Sequence, residues 1–173
     1  MSDKYLMIGV ITKTKGFKGE LVLTEVPKAI ENVVANIEVK IGYSEKFSKP
    51  YNLIQFKRFQ KNAYIKLKEI TSDEAGHKMK ELGLFVRTDN INRKANEYID
   101  HELAGCKVYN IDDGKLLGEI CDVLELPAND VWIMRTETTE IPLPVIEDVI
   151  KSVDIDKKEI YIYLLDGLMD LGK

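Results

Sequence analysis

Residues 11–23 read ITKTKGFKGELVL. Two apolar segments flank a short stretch that holds Lys13, Lys15 and Lys18 together with Gly16 and Gly19. Glycine adopts backbone angles that other residues resist, so the spacing predicts a turn between two strands. The upstream strand is Tyr5 to Thr12, a nearly continuous apolar run short enough for a buried strand, and the downstream one is Gly19 to Val26. Pro27, which has no backbone N–H to donate, ends that pairing. The lysines are either the solvated face of a hairpin or a basic loop that touches an anion.

Working outward, Ile37 to Tyr43, Tyr51 to Phe59 and Ala63 to Ile70 alternate apolar with polar residues, the signature of half-buried strands, and Phe85 to Thr88 closes the region. One helix interrupts it. In TSDEAGHKMKELG, Thr71 and Glu74 have the spacing of a capping box, Asp73 and Glu74 favour the positive helix end, Ala75, Met79 and Leu82 share a face, and Gly83 is the expected stop. A five- or six-stranded barrel with one short helix is expected for residues 1–88. Asp89 to Glu97 is polar and aperiodic and reads as a linker. From Tyr98 to Lys173 a second strand-rich unit follows, with a turn at Asp112-Asp113-Gly114, a bulge at Gly118, a strand confined to a sheet edge by Pro142 and Pro144, and a last hairpin from Ser152 to Leu165. Turn signals every 8–12 residues or so fit a sandwich or barrel, so the fold class is mainly β, in two β-barrel domains.

Charge separates the same two halves. Residues 1–88 hold 16 Lys+Arg against 10 Asp+Glu, a net of +6; residues 89–173 hold 9 against 19, a net of −10. A basic surface suits phosphate and an acidic one suits a basic protein, although two soluble surfaces would show the same signs. Lys57 and Arg58 could extend the basic patch, and Tyr51, Phe56 and Phe59 are either core or platforms for bases. No run of about 18 apolar residues is present, so no membrane-spanning helix is expected. MSDKYLMIGV lacks the pattern of a secretory leader, which points to the cytoplasm. Cys106 and Cys121 are too few for a disulfide framework and read as buried thiols. No heptad seam occurs, and a monomer is expected.

Catalytic signals are sparse. The patterns of nucleophile elbows, zinc peptidases, P-loops and dinucleotide sites do not occur. His77 lies on the polar side of the helix. His101 stands beside Asp100 and Glu102, so a small metal-dependent hydrolase is a rival reading, yet no further nitrogen or sulfur donor sits at ligand spacing. No catalytic residue, metal or cofactor is expected. In LPANDVW, Asn129 and Asp130 suit a turn, and Trp132, the lone tryptophan, is either a core plug or an anchor at a partner surface.

Four stretches, in order along the chain, carry a family resemblance. IGVITKTKGFKGELVL has Gly9, Gly16, Gly19 and Glu20; EYIDHELAGCKVY has Leu103, Gly105 and Val108; ANDVWIM follows; and IPLPVIEDVIKSVDIDKKEIYIYLLDGLMDL closes the series. Together they resemble the RimM family of ribosome maturation factors, also called 16S rRNA processing proteins. Two positions depart from that pattern. Lys15 stands where the family usually has histidine, and Tyr98 is followed by Ile99 where the family often has a second aromatic ring. The resemblance implies a translation-factor-like N-terminal barrel and a C-terminal PRC barrel, with no enzymatic activity. It implies binding to the immature small (30S) subunit through a head ribosomal protein of the S19 type, and promotion of 16S rRNA 3′-domain folding. On that expectation Lys13, Lys15, Lys18, Lys57 and Arg58 face RNA, and Tyr98, His101, Glu102, Asp130 and Trp132 face the ribosomal protein. A PRC-barrel adaptor unrelated to ribosomes is the remaining alternative.

Overall fold

The computed structural model describes residues 4–172; the first three residues of MSDKYLMIGV and Lys173 of the GLMDLGK tail lie outside the described residues. The chain divides into two compact units, residues 1–97 and 98–173. In the first, the strands are β1 (Tyr5–Lys15), β2 (Glu20–Thr24), β3 (Ile30–Val33), β4 (Ile37–Gly42), β5 (Ser48–Phe59) and β6 (Asn62–Leu67), then helix α1 (Asp73–His77), then β7 (Gly83–Arg87) and β8 (Ile91–Arg93). Six of the strands close a barrel in the order β1-β2-β6-β5-β4-β7, every neighbour antiparallel. Closure leaves no edge strand and hides one side of each strand, so Ile8, Ile11, Leu21, Leu23, Val39, Leu53, Ile65, Leu67 and Leu84 fill the interior. Each such aliphatic side chain contributes roughly 1.5–3 kcal/mol by leaving water.

The 16–19 turn behaves as its glycines require. Gly19 has φ +74, and a Cβ there would run into the carbonyl oxygen of Ile70. A side chain would therefore push the β1–β2 hairpin off the segment that leads into α1. That helix starts one residue later than the capping-box spacing suggests: Ser72, not Thr71, is its N-cap and accepts from the Ala75 N–H at 3.2 Å. It also ends early, at His77. Met79 is buried from the following turn, and Gly83 opens β7 instead of stopping the helix. Thr14 donates to the Asp73 carboxylate, which ties α1 to the barrel. Within 89–97, Ile91–Arg93 is paired antiparallel with β3, with Ile91 buried, so part of the stretch read as a linker is built into this unit.

The second unit opens with a single turn, α2 (Asp100–Leu103), followed by β9 (Lys107–Asn110), β10 (Leu116–Leu124), β11 (Val131–Arg135), β12 (Glu140–Pro144), β13 (Ile150–Asp154) and β14 (Glu159–Ile162). They form one six-stranded sheet, β12-β11-β10-β9-β14-β13, antiparallel except for the β9–β14 pair. The strand with Pro142 and Pro144 lies at the edge, and the register of β10 shifts between Leu116 and Gly118, as the sequence suggests. Leu103, Val108, Ile120, Trp132, Met134, Ile141, Val149, Ile160 and Leu168 form its core. The tail folds back on β12: Leu168–Asp170 is a short 3₁₀ turn, and Thr139 donates to the carbonyl oxygen of Gly172.

Candidate functional site

In the barrel unit, the side to which the lysines point is set by one extra residue. Ile11 pairs with Leu23, but the next partner of Val22 is Lys13, so Thr12 bulges out of the ladder. Strict alternation from the buried Ile11 would turn Lys13 and Lys15 into the core. The bulge reverses the phase: Lys13 and Lys15 are exposed, and Thr14 turns inward against Gly76 and Leu21. The outer face then carries a row across four strands, Lys13–Val22–Tyr64–Lys57, each member directly opposite the next. Lys15 Nζ lies 3.7 Å from the centre of the Tyr64 ring, a cation–π contact, and Phe59 stacks beside Tyr64 at 6.0 Å with the rings inclined by 22°. Three of the five cationic residues expected to meet RNA thus share one outer face with Tyr64. Lys18 is exposed in the turn at the barrel's end.

Arg58 does not join them. It is half-buried, and its Nη1 donates to the carbonyl oxygens of Pro27 (2.9 Å) and Ile30 (2.5 Å), next to and in β3. Its guanidinium is thereby engaged with backbone acceptors of residues 27–30, of which the Pro27 carbonyl also accepts from the Ile30 N–H at 3.0 Å. Among the aromatics, Phe56 is core, Tyr51 is half-buried and Phe59 is exposed. Tyr64 was missed by the sequence expectation. The signal was there, because Asn62, Tyr64 and Lys66 alternate with the buried Ala63, Ile65 and Leu67.

The C-terminal unit corrects two expected contact residues. Trp132 is 2% exposed and sits in the core, with Tyr98 edge-on to it at 5.9 Å and 77°. Glu102 is 3% exposed, and its backbone carbonyl accepts from Lys158 Nζ at 2.6 Å, as does that of Ala104 at 3.1 Å. Neither side chain can cover a partner, because the turn of α2 directs Glu102 and Leu103 inward together. Tyr98 is half-buried, and burial pushes its phenol above the ordinary range. His101 is exposed, and Asp130 is half-buried at the foot of β11. Around them lies an acidic group the sequence did not single out. Burial pushes the Asp100 carboxyl up, and the negative charges of Glu125, Asp130 and Asp122 add to it. Leu124 and Leu126 are exposed on the same β10–β11 segment.

The described residues assemble no group of three or more His, Cys, Asp or Glu side chains able to hold a metal ion, which leaves the hydrolase alternative without a ligand set. Among the described residues no helix is long and apolar enough to cross a membrane. Cys106 is buried and Cys121 half-buried, and burial raises both thiols. The division of charge persists when it is counted over the compact units: residues 1–97 hold 18 Lys+Arg against 12 Asp+Glu, net +6, and residues 98–173 hold 7 against 17, net −10.

A closed basic barrel followed by an acidic six-stranded β unit defines a two-domain, mainly β protein with two surfaces of opposite charge. The model of the RimM N-terminal domain matches residues 6–91, and that of the RimM PRC barrel domain matches residues 100–168. The chain is 35% identical to the ribosome maturation factor RimM of Thermoanaerobacter sp. (strain X514), over 97% of this chain and all of that one. It is 30% identical to the RimM of Bacillus subtilis (strain 168), over 98% and 99%. The chain belongs to the RimM family. It also matches the crystal structure of a putative 16S ribosomal RNA processing protein RimM from Pseudomonas aeruginosa, at 20% identity and TM-score 0.38 over 94% of this chain and 98% of that one.

Proposed function

We propose that this chain is a ribosome maturation factor that acts as a cytoplasmic monomer and without catalysis on the immature small subunit. The acidic C-terminal domain, around Asp100, His101 and Asp130, holds a basic head protein of the S19 type. The basic barrel, through Lys13, Lys15, Lys18 and Lys57, stays on 16S rRNA while the 3′ domain folds. The observation that carries this is the partition of charge, +6 on one compact unit and −10 on the next, in a chain whose relatives are named ribosome maturation factors. Opposite potentials on two units let one molecule hold a cationic protein and a polyanion at once. The acidic surface also masks the protein's phosphate-binding groups until its RNA site is ready.

Sucrose-gradient fractionation of a lysate tests it. The chain is expected with free small subunits at low salt, and release on raising the salt is expected because long-range charge sets the association. If the four lysines each meet one phosphate, log Kd for RNA changes with log salt by a slope of about 3–4, or roughly a hundredfold between 50 and 200 mM. The variant Lys13→Glu/Lys15→Glu/Lys18→Glu should leave the gradient peak yet still pull down the purified head protein. A chain that never co-sediments with small subunits would refute the proposal and favour the adaptor alternative.

A further inference from the structure

Three aromatic rings stand in water on the barrel unit: Phe17 is 91% exposed, Tyr43 81% and Phe47 79%. None packs on another ring, and none belongs to the Lys13–Tyr64–Lys57 face. Strand directions place them at one end of the barrel. β7 is antiparallel to both β1 and β4, so β1 and β4 run the same way, and the β1–β2 and β4–β5 connections emerge at the same end of the closed barrel. Phe17 is in the first connection and Tyr43 and Phe47 are in the second. Each connection pairs its rings with exposed lysines, Lys18 in one and Lys46 and Lys49 in or beside the other. The second loop is held in shape by its own bonds: the Phe47 N–H donates to Ser44 Oγ at 3.2 Å, and Ser48 Oγ donates to the Glu45 carbonyl at 2.6 Å. Its one carboxylate, Glu45, is turned to Lys40 at 3.5 Å, and Asp73, near the first loop, is engaged by Thr14 and His77. The rings therefore project beside exposed lysines.

We infer that this end of the barrel binds unpaired RNA, with Phe17, Tyr43 and Phe47 as stacking platforms for exposed bases and Lys18, Lys46 and Lys49 on the intervening phosphates. The chemistry selects this occupant. Protein-binding patches enrich aromatic rings but deplete lysine, whereas single-stranded nucleic acid sites combine the two. Duplex RNA keeps its bases stacked on each other and offers lysines a backbone, but offers rings no free π-face. The inference rests on the RNA role proposed for the barrel; it shares Lys18 with that assignment and adds three rings, the β4–β5 hairpin and a ligand class.

The test measures binding of the full chain to a fluorescein-labelled single strand of about twelve nucleotides and to a fully paired hairpin of similar length, across a salt series. The variants are Phe17→Ala/Tyr43→Ala/Phe47→Ala, the matching triple leucine variant and Lys13→Glu/Lys15→Glu/Lys18→Glu. All three rings are in water, so the folded state survives their removal. The alanine variant is expected to lose at least tenfold in single-strand affinity at an unchanged salt slope, with hairpin binding within about twofold of wild type. The leucine variant should be as weak as the alanine variant, because it keeps apolar area but has no π-face. The lysine variant should lose affinity for both RNAs and reduce the slope. Wild-type single-strand binding by the alanine variant, equal loss on both RNAs, or rescue by leucine overturns the inference while leaving the barrel an RNA binder. Intact RNA binding with loss of a pre-30S protein contact assigns the rings to protein and overturns it too. If wild type binds neither RNA, the RNA role of the barrel fails, and this inference fails with it.

Discussion

Replacing Tyr98 separates folding from binding at the start of the C-terminal unit. The ring lies edge-on to Trp132 at 5.9 Å and 77°, and it is half-buried against a core that includes Trp132, Leu143 and Leu168. Removing a fully buried aromatic side chain costs about 3–5 kcal/mol, so a half-buried one costs roughly 2 kcal/mol. Of this the edge-to-face contact supplies about 0.5–1.5 kcal/mol. The unit has 76 residues, Tyr98–Lys173, and at about 0.05–0.15 kcal/mol per residue its total stability is roughly 4–11 kcal/mol. Tyr98→Ala therefore removes a fifth to a half of it, and Tyr98→Phe, which keeps the ring, should stay within about 0.5 kcal/mol. The lone tryptophan makes the assay specific, since Trp132 fluorescence reports this unit alone. With a urea m-value near 1 kcal/mol/M for a unit of this size, the midpoint should fall by about 2 M in the alanine variant and hardly move in the phenylalanine variant. The alanine variant's folded emission should also shift to the red as water reaches the indole. An unchanged midpoint and m-value for Tyr98→Ala would show that the ring does not support the core, and any loss of ribosomal-protein binding would then belong to contact.

Other outcomes follow from particular bonds. Arg58→Ala removes the charged donor to the Pro27 and Ile30 carbonyls, the first of which keeps the Ile30 N–H, and should destabilise the barrel unit by about 1–3 kcal/mol in thermal unfolding, while the salt slope of RNA binding stays that of wild type. Glu69 is the acceptor of the Asn52 backbone N–H and side-chain amide. Burial, the largest single influence, raises its carboxyl, but these bonds, its own backbone N–H and the charge of Lys68 together outweigh it and hold the group below the usual glutamate range. Because its folded pKa lies below the unfolded one, Glu69 adds stability at pH above the unfolded value, and that stability is lost as pH falls through the folded value. An NMR pH titration of Asn52→Ala should find the Glu69 midpoint raised toward ordinary. Asp100 has the opposite sign: its folded pKa is raised, so the stability tied to its protonated form is present below the unfolded value and is lost as pH rises through the folded value, and Asp100→Asn should remove that fall from the Tm–pH profile at low salt. In native protein an aromatic disulfide reagent should label Cys121, at the surface of β10, well before Cys106, which is fully buried; equal rates would contradict that burial.

Much of the fold was legible because its determinants are local. Gly16 and Gly19 supply the backbone freedom of a tight turn, Pro142 and Pro144 exclude their strand from a sheet interior, and alternation in 37–41 and 62–67 marks which side of each strand is apolar. The ordered glycines and apolar positions of four motifs identify the family for the same reason, being fixed by chain geometry at each place. The fate of individual side chains needed the folded molecule. A single bulged residue, Thr12, decides whether Lys13 and Lys15 meet core or solvent, and nothing within two or three residues of it announces a slip in register. Arg58 reads as a cation beside Lys57, but barrel closure brings the Pro27 and Ile30 carbonyls to it from roughly 30 residues away. Trp132 and Glu102 look available in the sequence and are enclosed only once β11 and α2 pack on one core. Hydrophobic period and turn chemistry act over a few residues and can be read along the chain, whereas register, closure and burial are set by partners distant in sequence and exist only when the strands have met.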